Sequence, residues 1–124
     1  MRYLPVFFLL FLLVNCKNSE QKKVIDPKTI AFENIKQGDS VVVTFAVENT
    51  SKNDINIVHI TTPCSCTKIA YDSGAINPGK TGNFSVKYRS DNDTGYISKA
   101  FVVKTSDTAS PVQTFYLRGT VAAR

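Results

Sequence analysis

From residue 40 onward, apolar and polar residues alternate with a period of two, the repeat of a β-strand whose two faces meet different surroundings. Val41, Val43, Phe45 and Val47 fall on one face, and Val42, Thr44, Ala46 and Glu48 on the other. The same alternation returns at Phe84, Val86 and Tyr88, set against Ser85 and Lys87. Ile55, Ile57 and Val58 to Ile60 form another run, in which the phase slips and a bulge is expected. Lys68 to Tyr71, Ile97 to Thr105 and Val112 to Val121 complete the series. Turn formers separate the runs: Asn49 to Asp54, Ile76-Asn77-Pro78-Gly79, and Ser90 to Gly95. No window carries a long amphipathic helix. About seven short strands with turns at this spacing predict an all-β chain folded as an immunoglobulin-like β-sandwich. The chain has no Trp and no widely spaced cysteine pair, so it is not an antibody-type domain.

The alternating aromatics Phe32, Phe45, Phe84, Tyr88, Phe101 and Phe115 are expected in the core. Tyr71, Tyr96 and Tyr116 are the aromatics left for a contact surface.

The first residues follow a different rule. Arg2 precedes an uncharged apolar run from Leu4 to Val14, after which the chain turns sharply polar at Asn15-Cys16. The run has signal-peptide length and is shorter than the ~20 residues of a spanning helix. Leu13-Val14-Asn15-Cys16 resembles the lipobox of bacterial lipoproteins, matching at Leu13 and Cys16. That resemblance implies lipid on Cys16, cleavage before it and a membrane anchor on the exported side of the cell envelope. The chain therefore divides into a signal peptide over 1–15, the lipidated Cys16 with a flexible tether over 16–27, and a sandwich over 28–124. The formal charge is +5, but the lysines are interspersed with acids, which argues against nucleic acid as a partner.

Three cysteines become one pair, Cys64 and Cys66, once Cys16 is assigned to lipid. In an extended strand their side chains share one face. Two thiolates there suit Cu(I) or Zn(II), with His59 as a third ligand. A disulfide is the second reading; extended backbone puts the Cα atoms near the upper limit of ~7 Å and strains the bond. Redox exchange through such a bond is the third, and two buried structural thiols the plainest. His59 is the only histidine, and no serine stands in a nucleophile-elbow pattern, so no catalytic residue is assigned. Asp91 to Gly95 is oxygen-rich but lacks the calcium-loop spacing, and is expected to be a hairpin turn. Asn49, Asn83 and Asn92 each begin a glycosylation triplet, of little meaning in a bacterial lipoprotein.

Several of these positions together resemble a domain-of-unknown-function family of small Ig-like domains in bacterial exported proteins. Phe32, Ile35, Gly38, Phe45, Asn49, the Cys64-Ser65-Cys66-Thr67 motif, Ile76, Pro78, Gly79, Gly95 and Gly119 carry the likeness, which runs from Thr29 to Val121. Ser65 stands where that family usually has Gly. The resemblance implies a sandwich akin to PapD-like and sperm-protein-like domains, frequent lipidation and no enzymatic activity. The resulting expectation is a non-catalytic, membrane-anchored binding or scaffolding module that meets another envelope component. Its alternatives are a copper- or zinc-handling protein or a thiol redox protein, and no cofactor is otherwise expected.

Overall fold

A computed structural model describes residues 23–124. The expected signal peptide, Cys16 and the first part of the expected tether lie outside the described residues. Among the described residues, nine strand segments form two sheets: β1 Lys23–Asp26, β2 Thr29–Ala31, β3 Ile35–Lys36, β4 Ser40–Glu48, β5 Ile57–Thr61, β6 Thr67–Tyr71, β7 Thr81–Arg89, β8 Gly95–Thr105 and β9 Val112–Ala122. The large sheet runs β1-β2-β9-β8-β5, with β3 also on β9; the small sheet runs β4-β7-β6. The all-β, Ig-like sandwich expected from the strand period is what the chain adopts.

The period-two pattern becomes two packed inner faces. Val41, Val43, Phe45 and Val47 of β4 are buried and face Tyr88, Val86 and Phe84 of β7 in register. Phe101 and Val103 of β8, with Phe115 and Leu117 of β9, close the layer from the other side. All six aromatics expected inside are buried. Phe45 stacks on Phe84 at 5.1 Å, and Phe115 meets Phe84 edge-on at 5.1 Å. Both are favoured ring geometries and add to the large apolar area that each ring removes from water. A Cβ on Gly119 would collide with the Phe32 ring, so the ring closes the core where β9 has no side chain.

The chain's edges depart from the expected plan. The last part of the segment expected to be a flexible tether over 16–27 is instead a strand: Lys23–Asp26 pairs antiparallel with β2. Pro27 and Lys28 form the turn between them, tightened by Lys28 N–H donating to Asp26 Oδ1 at 2.8 Å. β2 and β3 are one strand path broken between Ala31 and Ile35, and both run parallel to β9. Counted as one path with β1 set aside, they restore the seven strands of the sequence pattern.

The bulge expected in the third run is present, as a register shift between Ile57 and His59 on β8. The Ser90–Thr94 turn is not a hairpin: β7 belongs to the small sheet and β8 to the large one, so the chain crosses between layers there. The turn at Asn77-Pro78-Gly79-Lys80 has Lys80 N–H donating to Asn77 C=O at 3.0 Å and φ of 75° at Gly79, the type II geometry that favours Pro then Gly.

Candidate functional site

Three clusters bring chemically capable side chains together. The first is the Cys64-Ser65-Cys66 loop between β5 and β6. It is a bend and turn, not a strand, so the Cα atoms of Cys64 and Cys66 stand 5.1 Å apart and the two are joined in a disulfide. That separation lies inside the usual range for disulfides and short of the ~7 Å expected from extended backbone. Ser65 does not need glycine's freedom, since no residue other than glycine takes positive φ among those described.

The loop is held on both sides. Thr67 Oγ1 donates to Cys64 C=O at 3.1 Å, and Arg89 N–H donates to Cys66 C=O at 2.9 Å. Cys66 packs against the core. Oxidised, the sulfurs offer no thiolate to a metal or an electrophile. His59 is exposed on β5, in register with Lys104. Among the described residues, no three His, Cys, Asp or Glu side chains gather to hold a metal ion.

The second cluster lies at the inter-sheet turn. Tyr88 Oη donates to Asp93 Oδ2 at 2.6 Å, and Lys99 Nζ lies 3.1 Å from the same oxygen. Lys99 also stands 5.9 Å from the centroid of the Tyr88 ring. The Tyr88 hydroxyl, with Lys99 beside it, holds the Asp93 carboxyl below its ordinary range against the cost of burial. Burial, then the Asp93 hydrogen bond, pushes the Tyr88 phenol up and keeps it neutral. The oxygen-rich segment read as a turn is therefore a turn whose central acid is consumed by two partners. Ser90, fully buried, seals the same end: its hydroxyl lies within hydrogen-bond distance of Gly38 N–H and the carbonyls of Lys36 and Asp39.

The third cluster was not among the residues singled out from sequence. On the outer face of the small sheet Lys68 of β6 sits directly opposite Lys87 of β7, and Arg89 follows on the same face. Arg89 pairs with Asp91 at 3.1 Å across exposed surface. No sequence signal marks the Lys68–Lys87 contact, because it exists only through register.

Other expectations resolve simply. Tyr71 and Tyr96 are exposed, while Tyr116 is half-buried with the Arg118 guanidinium 5.0 Å from its ring centroid. Asn49, first residue of a glycosylation triplet, is fully buried. Its amide donates to Asn53 C=O and Ile76 C=O, both at 2.8 Å, and its oxygen accepts from Ser51. It is a bracket between loops and no acceptor site. Asn83 and Asn92 are exposed.

Two sheets of this order, with a parallel first strand on β9, define an Ig-like, PapD-like sandwich domain. Residues 23–121 match the family described as "Protein of unknown function (DUF1573)", and the chain belongs to that family. Among solved structures it is similar to a protein of unknown function from Porphyromonas gingivalis W83, with 11% identity, TM-score 0.63, and coverage of 75% of this chain and 44% of that one. It is also similar to the ASH / PapD-like domain 7 of human CEP192, at 13% identity and TM-score 0.60, covering 88% and 96%. The VesB protease of Vibrio cholerae contains a similar domain: 11% identity, TM-score 0.60, covering 77% and 30%. These likenesses show the fold alone. The chain spans under half of the Porphyromonas protein it matches. No curated protein matches it.

Proposed function

We propose that this protein is a non-catalytic binding module of the bacterial cell envelope, held to a membrane by lipid on Cys16. It receives an envelope partner along an open sheet edge. The observation that carries this reading is β1. It pairs with β2 on one side only among the described strands, and it exposes Val24 and Ile25 to 67% and 55%. An edge strand with unpaired backbone groups and exposed apolar side chains recruits another strand by β-augmentation. The short strand and its bulge limit self-association, and the break between β2 and β3 keeps the edge from extending. The family and the PapD-like fold are compatible with a binding role. The apolar leader and Cys16 support a position on the exported side, periplasmic or surface.

Two measurements test this reading. Mass spectrometry of the mature N-terminus is expected to find acyl groups on Cys16; a soluble chain starting elsewhere overturns the anchor. A photo-crosslinking residue at Val24, introduced in cells, is expected to join one discrete partner. Ile25→Asp should abolish that product while leaving the melting midpoint in place. If the product persists with Ile25→Asp, β1 is not the docking edge.

A further inference from the structure

The outer face of the small sheet holds a charge arrangement that the fold does not require. Lys68 and Lys87 are cross-strand partners. In that position side chains are near neighbours, and like charges oppose pairing. Neither lysine has an ion-pair partner among the described residues, where the two salt bridges are Arg89–Asp91 and Lys99–Asp93. Arg89 extends the patch two residues further along β7. Asp91 answers Arg89 at that end, and the acid on the strands of this face is Glu48, opposite Thr81 at the other end of the sheet, about 20 Å from Lys87 along the strand. Every other outward position on β4, β6 and β7 is neutral.

We infer that this face rests on anionic phospholipid headgroups of the membrane to which the chain is anchored. An anionic surface screens the two ammonium groups from each other and turns a repulsive contact into an attractive one. The choice of a membrane rests on the Cys16 anchor proposed above. From Cys16 to Lys23 the chain reaches at most about 25 Å even when fully extended. A domain on so short a leash meets the surface at high effective concentration, which adds to the attraction of this face for the surface and selects which face lies down. Each lysine near an anionic leaflet contributes a modest increment, and two adjacent lysines without an acid partner make a directional patch. With the small sheet against the membrane, the outer face of the large sheet looks away from it.

The test uses unlipidated residues 17–124, which retain every core residue from Ile30 to Val121. Vesicles of phosphatidylcholine mixed with phosphatidylglycerol are compared with pure phosphatidylcholine at low ionic strength by co-sedimentation. The protein is expected to partition to the mixed vesicles alone. Lys68→Gln with Lys87→Gln should weaken that partition about 30-fold. Lys52→Gln with Lys104→Gln, an equal loss of charge elsewhere, should leave it unchanged.

Lys87→Glu guards against misfolding: it places opposite charges in register, so it should melt no lower than the parent while losing vesicle binding. The inference is overturned by absence of a preference for phosphatidylglycerol, by retained binding in the Lys68/Lys87 variant, or by an equal loss in the Lys52/Lys104 variant. Because the protein tested carries no lipid, vesicle binding with an unacylated Cys16 in cells would sink the anchor and leave this face standing. An acylated Cys16 without vesicle preference would do the reverse.

Discussion

Two groups of charged side chains, joined through β7, are organised in opposite ways. At the inter-sheet turn, Asp93 receives Tyr88 and Lys99, all three at least partly buried and each answering another's need. On the outer face, at the residue just before Tyr88, Lys87 faces Lys68 with no acid between. The contrast follows solvent. A carboxylate taken from water needs its partners, because an unmet buried charge costs far more than an exposed one. Ammonium groups in water tolerate each other at small cost. The first group is held by folding; the second is merely permitted by it, which is why its purpose is sought outside the domain.

The largest effect that separates the two is expected from Asp93→Ala. It leaves the Tyr88 hydroxyl and Lys99 without their acceptor and should cost about 2 kcal/mol in urea denaturation. A loss below about 0.5 kcal/mol would mean that solvent replaces the carboxylate and that the turn is not locked.

The disulfide comes next. It fixes the loop from which β6 sets out, and with it the register that opposes Lys68 to Lys87. A ring this small constrains little chain, so Cys64→Ser with Cys66→Ser should lower stability by about 1.5 kcal/mol at most. Hydrogen exchange should rise in β6 before β4. Uniform loosening would show that Cys66 acts through core packing alone.

Acid should reveal the turn and spare the outer face. Asp93 is held below its ordinary value of 3.8, so its contribution is complete above that value in the folded state and is lost as pH falls through the lower folded one. Asp93→Asn should flatten this acid limb of the stability curve; an unchanged limb assigns it to other carboxylates. Tyr88 has the opposite sign: with its pKa raised, stability holds below 10 and is lost as pH rises past the ordinary phenol range. Tyr88→Phe should remove that alkaline loss.

The smallest change is a gain. Lys87→Glu replaces repulsion with a cross-strand ion pair and should stabilise the domain by roughly 0.5 kcal/mol, declining with added salt. No gain would mean that the two ammonium groups already stand apart, and the contrast with Asp93 would shrink accordingly.

Much of this fold was legible along the chain because burial writes a simple code. One inner face, wet on the other side, forces alternation, so Val41 to Val47 and Phe84 to Tyr88 announced their strands and their buried sides. Pro78-Gly79 announced its turn because few residues accept the dihedral angles that it needs. The slip near Val58 announced its bulge because an extra residue shifts the phase.

Other features were decided only when the strands found their partners. Period two says which side of a strand is dry but not which strand lies beside it, so β8 was free to join β7 as a hairpin or cross to the other sheet. Asp93 became a structural acid only because that crossing folds the turn back toward Tyr88. Strand alternation alone puts Cys64 and Cys66 on extended backbone, whereas the chain bends between the sheets and brings their Cα atoms within ordinary bonding range. β1 was hidden by its polar, charged surroundings, because a two-sided exposed edge strand carries no burial code. Lys68 and Lys87, apart in sequence, oppose each other only through the register of β6 on β7. Alternation is a local consequence of burial and can be read from one strand; juxtaposition depends on pairs of strands and belongs to the tertiary structure.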